Sequence, residues 1–332
     1  MKLSPSNPAA WMVGILIGLA PACTTTPYRG TCGPPRSLDP ELSERFGVPP
    51  LELVTAGEPQ ADGPSWRHDG VLEIDGVELR YRYWLPGEDA RPAPFVMVLP
   101  FLSGAERITD LVCRALARRG IAAGSVERRW RLFKEKETVD ELEAKFVDAV
   151  RAQRAFLAWV AEREGIDGER IGCLGISIGG MLATLFAAVE PRLDCAVICL
   201  AGGDFGELVV SADEVQLERW VRERLTADGI SAAELQERIR REFEVDPLRL
   251  APAVDPCRVL FVTARWDGVI PRPSREALWH ALGQPERIDV PLGHYTTFLA
   301  LNWILGRASR FATSRFAEDP SPIGEPSISS AH

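Results

Sequence analysis

Gly175, Ile176, Ser177, Ile178 and Gly179 spell G-x-S-x-G, with Gly180 directly behind. By chance such a pentapeptide occurs in roughly one chain in ten of this length, so the letters alone carry little. Their surroundings carry more. An apolar run at 171–174 leads in and an apolar helical pattern at 181–189 leads out. A hydroxyl at a sharp strand-to-helix turn needs strained backbone angles and neighbours without side chains, which glycines two residues to either side supply. The following helix points its free amides and positive dipole end at the reacting oxygen. A serine hydroxyl is a weak nucleophile at neutral pH unless a base takes its proton, and imidazole is suited to that task. The chain has four histidines. His68 precedes the main sheet pattern, His280 lies in a helical pattern and His332 ends the tail, so elimination favours His294, which follows the last short apolar strand.

The elements that must position these groups alternate. Residues 71–74, the Asp75-Gly76 turn and residues 77–85 read as an antiparallel hairpin. Residues 95–99 form a continuous apolar run, as expected of a strand buried on both faces. Helical and strand patterns then take turns: helix 107–119, strand 121–126, helix 138–164, strand 170–175, helix 178–189 and strand 193–200. Helical signals fill 204–250, followed by strand 258–263, helix 274–282, strand 287–290 and a closing helix at 295–305. Such alternation predicts an α/β fold: a mainly parallel, twisted sheet of about eight strands with helices on both faces.

On these residues the chain resembles the α/β-hydrolase superfamily over 66–308, and the Asp246-Pro247-Leu248 wording is similar to dienelactone-hydrolase and acetyl-esterase relatives. The resemblance implies the chain order Ser, acid, His. It makes Asp267 the acid, in a loop after an apolar strand with Pro271 four residues on; the bland reading is an Asp-Gly turn, and Asp204 is the substitute. It makes Gly293-His294 the general-base segment. It implies one oxyanion donor at the Ile178 amide and another in the loop after 95–99, where Leu102 is chosen and Phe101 is the alternative. Residues 204–250 sit where relatives insert a helical cap, although two amphipathic surface helices explain them as well. Arg128, Arg129 and Trp130 read either as a solvated basic turn or as a contact for an anionic substrate.

The resemblance implies acyl transfer: an esterase acting on a small-molecule ester, without cofactor. The alternatives are a peptidase or acyltransferase of the same fold, or a silent surface-binding lipoprotein. Ser at 177 argues against haloalkane dehalogenase and dienelactone hydrolase chemistry, which use Asp and Cys.

Bulk properties agree with a folded globular chain. Of 332 residues 46% are apolar and 26% charged, which excludes disorder of the whole. A formal charge of −9 without a Lys/Arg tract gives no footprint for nucleic acid. Lys2 and the uncharged run 11–20 read as a signal peptide over 1–22, and Cys23 resembles a lipidated lipoprotein cysteine of the bacterial envelope. Plain cleavage, or an uncleaved anchor helix, are the other readings. Residues 23–65, rich in Pro and Gly, read as a tether, 66–312 as the hydrolase domain and 313–332 as a loose tail. The remaining cysteines read as buried thiols, with Cys173 pairing to Cys195 or Cys199 left open to geometry. No metal-ligand spacing is present.

Overall fold

The computed structural model describes residues 23–33, 35–87, 92–101 and 106–318. It begins with an edge strand β1 (Thr24–Thr26), a short helix α1 (Pro40–Arg45) and strands β2 (Leu51–Ala56) and β3 (Gln60–Asp62). The hairpin β4 (Ser65–Ile74) and β5 (Val77–Leu85) follows, then β6 (Ala93–Val98), α2 (Glu106–Ala117), β7 (Ala122–Val126), α3 (Val139–Val160) and β8 (Ile166–Ile176). The second half runs α4 (Ile178–Val189), β9 (Leu193–Cys199), α5 (Phe205–Ser211), α6 (Val215–Asp228), α7 (Ala232–Glu242), α8 (Pro247–Leu250), β10 (Val259–Ala264), α9 (Arg272–Ala281), β11 (Glu286–Val290) and α10 (Leu301–Phe316).

These strands make one sheet of eleven, in the order β1-β11-β10-β9-β8-β6-β7-β5-β4-β2, with β3 paired to β4. From β11 to β7 every neighbour is parallel, while β5, β4, β2 and β3 continue antiparallel at one side and β1 closes the other. The mainly parallel α/β sheet expected from the alternation is therefore present, in the arrangement that the resemblance to α/β-hydrolases implies. The strand count differs, and the reason is specific: β4 to β11 are the strands expected, and the extra three lie within 23–65. That segment is not a structureless tether. β1 and β2 are almost wholly exposed, so no alternation of apolar and polar residues announces them; the backbone ladder to β11 and β4 holds them.

Period-two alternation splits the core. Phe95 and Met97 of β6 face a cluster with Phe146 and Phe156 of α3 and Leu182 of α4. Val96 and Val98 face the opposite cluster, with Val112 of α2 and Ile304 and Phe311 of α10. The helix α3 starts at a capping box, in which Thr138 and Glu141 each satisfy the other's backbone N–H. α10 buries Phe316, so the closing helix runs past the expected start of the tail at 313.

The cysteine pairing also differs from expectation. Cys32 is bonded to Cys257 with a Cα–Cα distance of 5.6 Å, whereas Cys113, Cys173, Cys195 and Cys199 are buried thiols. Cys173, Cys195 and Cys199 belong to adjacent strands but do not pair; near Cys32 the early segment is held to the turn after α8, where the Arg36 amide donates to the Pro252 carbonyl. Among the described residues no helix is long and apolar enough to cross a membrane, and no group of three or more His, Cys, Asp or Glu is placed to hold a metal ion. The expected signal segment 1–22 and most of the expected tail lie outside the described residues.

Candidate active site

Ser177 stands between β8 and α4 with φ 60° and ψ −125°, a conformation an L-residue adopts only when its surroundings enforce it. Here they do. A Cβ on Gly175 would overlap the Gly179 carbonyl, and one on Gly179 would lie 2.8 Å from the Leu99 carbonyl oxygen; only glycine lets the turn close against β6. The Ser177 amide donates to the Cys199 carbonyl at 2.9 Å, tying the bend to β9. Ile178 opens α4, so its N–H belongs to the first turn, whose donors have no acceptor within the helix.

The other two expected side chains arrive from the ends of β10 and β11. His294 Nε2 lies 3.1 Å from Ser177 Oγ. Its Nδ1 lies 2.9 Å from Asp267 Oδ2 and 3.1 Å from Oδ1. The Asp267 side chain is 1% exposed and that of His294 6%. Asp267 Oδ1 also accepts the amides of Val269 and Ile270 at 2.9 and 2.8 Å, so the carboxylate is aimed by its own loop. With both ring nitrogens so engaged, the tautomer that matches a charged Asp267 carries its proton on Nδ1 and leaves Nε2 as acceptor toward the serine.

The histidine loop has supports that the sequence reading missed. Thr296 Oγ1 accepts the Gly293 amide at 2.9 Å, and Thr297 Oγ1 donates to the Gly293 carbonyl at 2.7 Å. The only signal in the sequence is two consecutive hydroxyl residues after His294-Tyr295, which is a common enough polar pair to pass unnoticed. Backbone bonds from Arg265 to Val290 and from Trp266 to Leu292 join the acid and histidine loops.

Other candidates sit elsewhere. Asp204 caps α5 and takes two bonds from Arg240, at 2.9 and 2.7 Å, so it is not the partner of His294. His68 stacks on Tyr83 and His280 contacts Gln284. Leu102, the expected second oxyanion donor, lies outside the described residues; Phe101 is buried with its ring 6.5 Å from Phe298. The segment 204–250 forms α5 to α8, seated by Phe205 and Phe243 edge-on against Phe146 of α3 and by the Trp220 indole N–H on the Glu137 carbonyl. Arg128 and Arg129 line a cavity of about 360 Å³ with Arg80, Arg82, Trp84 and Pro100. Partial burial pushes the Arg128 guanidinium down to about 10, and Arg129 covers the Trp130 ring at 4.6 Å.

A sheet of this order, with a bent serine at the end of its central strand and Asp and His after later strands, defines an α/β-hydrolase. Residues 75–289 match the family model described as X-Pro dipeptidyl-peptidase (S15 family), and the chain belongs to that family. The match contains Ser177 and Asp267 and stops shortly before His294. An uncharacterized protein of Mycobacterium tuberculosis (strain ATCC 25618 / H37Rv) is 29% identical over 164 residues, 49% of this chain and 37% of that one. The 2,6-dihydropseudooxynicotine hydrolase of Paenarthrobacter nicotinovorans is 28% identical over 160 residues, 48% of this chain and 40% of the enzyme. The chain thus spans about two fifths of the length of these relatives. Among solved structures, the acetyl xylan esterase from Paenibacillus sp. R4 superposes with a TM-score of 0.62 at 17% identity, over 82% of this chain and 92% of that one, a likeness of fold.

Proposed function

We propose that this hydrolase is a serine esterase that cleaves small carboxylic esters through an acyl-enzyme on Ser177. The observation that carries the reading is the continuous chain of contacts from Ser177 Oγ through both ring nitrogens of His294 to Asp267. In this reaction Ser177 Oγ bonds to the ester carbonyl carbon while its proton passes to His294 Nε2. Asp267 holds the ring and stabilises the imidazolium. The carbonyl oxygen, now negative, is met by the Ile178 amide and by a second donor from the loop after β6, assigned to Leu102. Collapse breaks the bond to the alcohol, which leaves with the proton from His294. Water then repeats the sequence on the acyl group and releases the acid.

The family description favours a second reading, in which the same groups cleave an amide after proline. Turnover of p-nitrophenyl esters from acetate to palmitate, set beside X-Pro p-nitroanilides, separates the two. Ester turnover at least a hundredfold above anilide turnover supports the esterase; the reverse ratio replaces it with the peptidase.

The sequence of 1–22 supports export, with attachment of the chain to the bacterial envelope through a lipidated Cys23. The Cys32–Cys257 bond fits an oxidising compartment. Mass analysis of the membrane fraction tests this: a diacylglyceryl mass on the peptide beginning at Cys23 supports lipidation, and an unmodified thiol there removes it.

A further inference from the structure

Four large apolar side chains stand exposed around the candidate site: Trp266 at 67%, Tyr295 at 63%, Leu299 at 50% and Val215 at 79%. They are not scattered. Trp266 directly precedes Asp267 and Tyr295 directly follows His294, the bond from the Trp266 amide to the Leu292 carbonyl holds their two loops side by side, and Leu299 lies in the short turn Thr296–Ala300 that Tyr295 begins. The Asp213 amide donates to the Gly268 carbonyl at 3.0 Å, which brings the start of α6, with Val215, to the same rim. Burial first, then the carboxylates of Glu214 and Asp213, push the Tyr295 phenol up. Exposed clusters of this kind mark contact surfaces, and tryptophan and tyrosine are the side chains suited to a membrane–water interface.

Where the chain leaves the fold says what covers the rim. Thr24 pairs with Asp289 in the β1–β11 ladder, so Cys23 lies beside Val290. The Val290 carbonyl accepts the Arg265 amide, and the Arg265 charge reaches the Cys23 thiol. Strand spacing then sets Cys23 on the order of 10–15 Å from Trp266. Residues 1–22, with their uncharged run 11–20, join the chain at the end of the sheet that carries Ser177. Any attachment to a bilayer through that segment, or through Cys23 itself, brings the rim to the lipid.

We propose that the rim of Trp266, Tyr295, Leu299 and Val215 docks on a zwitterionic phospholipid bilayer, so that the entrance to Ser177 faces lipid. Asp213 and Glu214 at the rim, within a chain of charge −9, disfavour an anionic surface. Resting on the esterase reading, the substrate class follows: an ester whose acyl or alcohol part partitions into the bilayer and reaches Ser177 from it.

The test uses the full chain with phosphatidylcholine vesicles brominated along the acyl chains, read by tryptophan emission. Read in a Trp11→Phe background, since Trp11 begins the apolar run 11–20, the chain shows a quenched component that added Trp266→Phe abolishes, while Trp279→Phe, altered on α9 where the indole packs under Arg287, retains it. Leu299→Trp in the Trp266→Phe background restores the component. Ser177→Ala quenches like the wild type, so failure of the hydrolytic reading appears in turnover alone and not in this signal. Quenching unaltered by Trp266→Phe, or absence of vesicle binding, overturns the proposal. Trp266 already shielded from acrylamide before lipid is added assigns the rim to residues 1–22 instead, and also overturns it.

Discussion

The backbone N–H of Trp266 donates to the Leu292 carbonyl at 2.9 Å, and this bond ties the loop that carries Asp267 to the loop that carries His294. Asp267 and His294, past the tips of neighbouring parallel strands and 27 positions apart in the chain, are thereby held within hydrogen-bond distance. The serine they face comes from a third strand, β8, two places from β10 and three from β11 across the sheet. The site is a product of strand order more than of any local motif.

Asp267→Asn keeps the size of the side chain but removes the charge that fixes the Nδ1 proton of His294. We expect kcat for p-nitrophenyl acetate to fall by on the order of 10³–10⁴, with the far-ultraviolet circular dichroism unchanged. A loss smaller than tenfold would assign the acid role elsewhere.

Gly179→Ala places a methyl 2.8 Å from the Leu99 carbonyl oxygen. The backbone at Gly179 is not in the left-handed region, so the cost is steric. The variant should lose about 1–3 kcal/mol of stability and lose kcat as the bend at Ser177 shifts; a thermal melt and an activity measurement on the same sample check both.

Breaking Cys32–Cys257 frees a loop of 225 residues in the unfolded chain. Cys32→Ser should destabilise the fold by about 2–4 kcal/mol, read as a lower urea midpoint. The same downward shift should follow when the wild type is reduced with dithiothreitol, and Cys32→Ser should not respond to reduction.

Glu190 follows the last residue of α4, the helix that Ser177 precedes at its other end. Burial alone would raise its carboxyl, yet the hydrogen bonds and charge of Arg192, with Arg154, hold it below its ordinary 4.5. A carboxyl depressed in the folded state binds protons less readily there than in the unfolded chain. Its contribution is complete above that ordinary value and is lost as pH falls through the folded value. Melting temperature should therefore drop from about pH 5 to about pH 3 more steeply in the wild type than in Glu190→Gln, which starts lower and falls less.

The parts of the fold with strong periodicity were legible in the sequence. β6 and β10 are buried on both faces and read as unbroken apolar runs, and α3 repeats Leu142, Phe146 and Ala149 at helical spacing. β1, β2 and β3 were not legible, because strands held at a sheet edge by backbone bonds leave no side-chain pattern. The Cys32–Cys257 bond depends on two segments meeting across the whole domain, which spacing cannot reveal. At the site, Ser177, Asp267 and His294 were each named from motif, resemblance or elimination, and the structure brings the three side chains together. Thr296 and Thr297 escaped notice since their task, holding Gly293, is visible only as geometry.

The most direct test of the central claim is labelling with a fluorophosphonate followed by peptide mapping, on wild type, Ser177→Ala and His294→Ala. A phosphonyl mass on the peptide containing Ser177 in the wild type, absent in Ser177→Ala and formed at least a hundredfold more slowly in His294→Ala, is the predicted result. Equal labelling of all three proteins, or a label mapped to another residue, would contradict it.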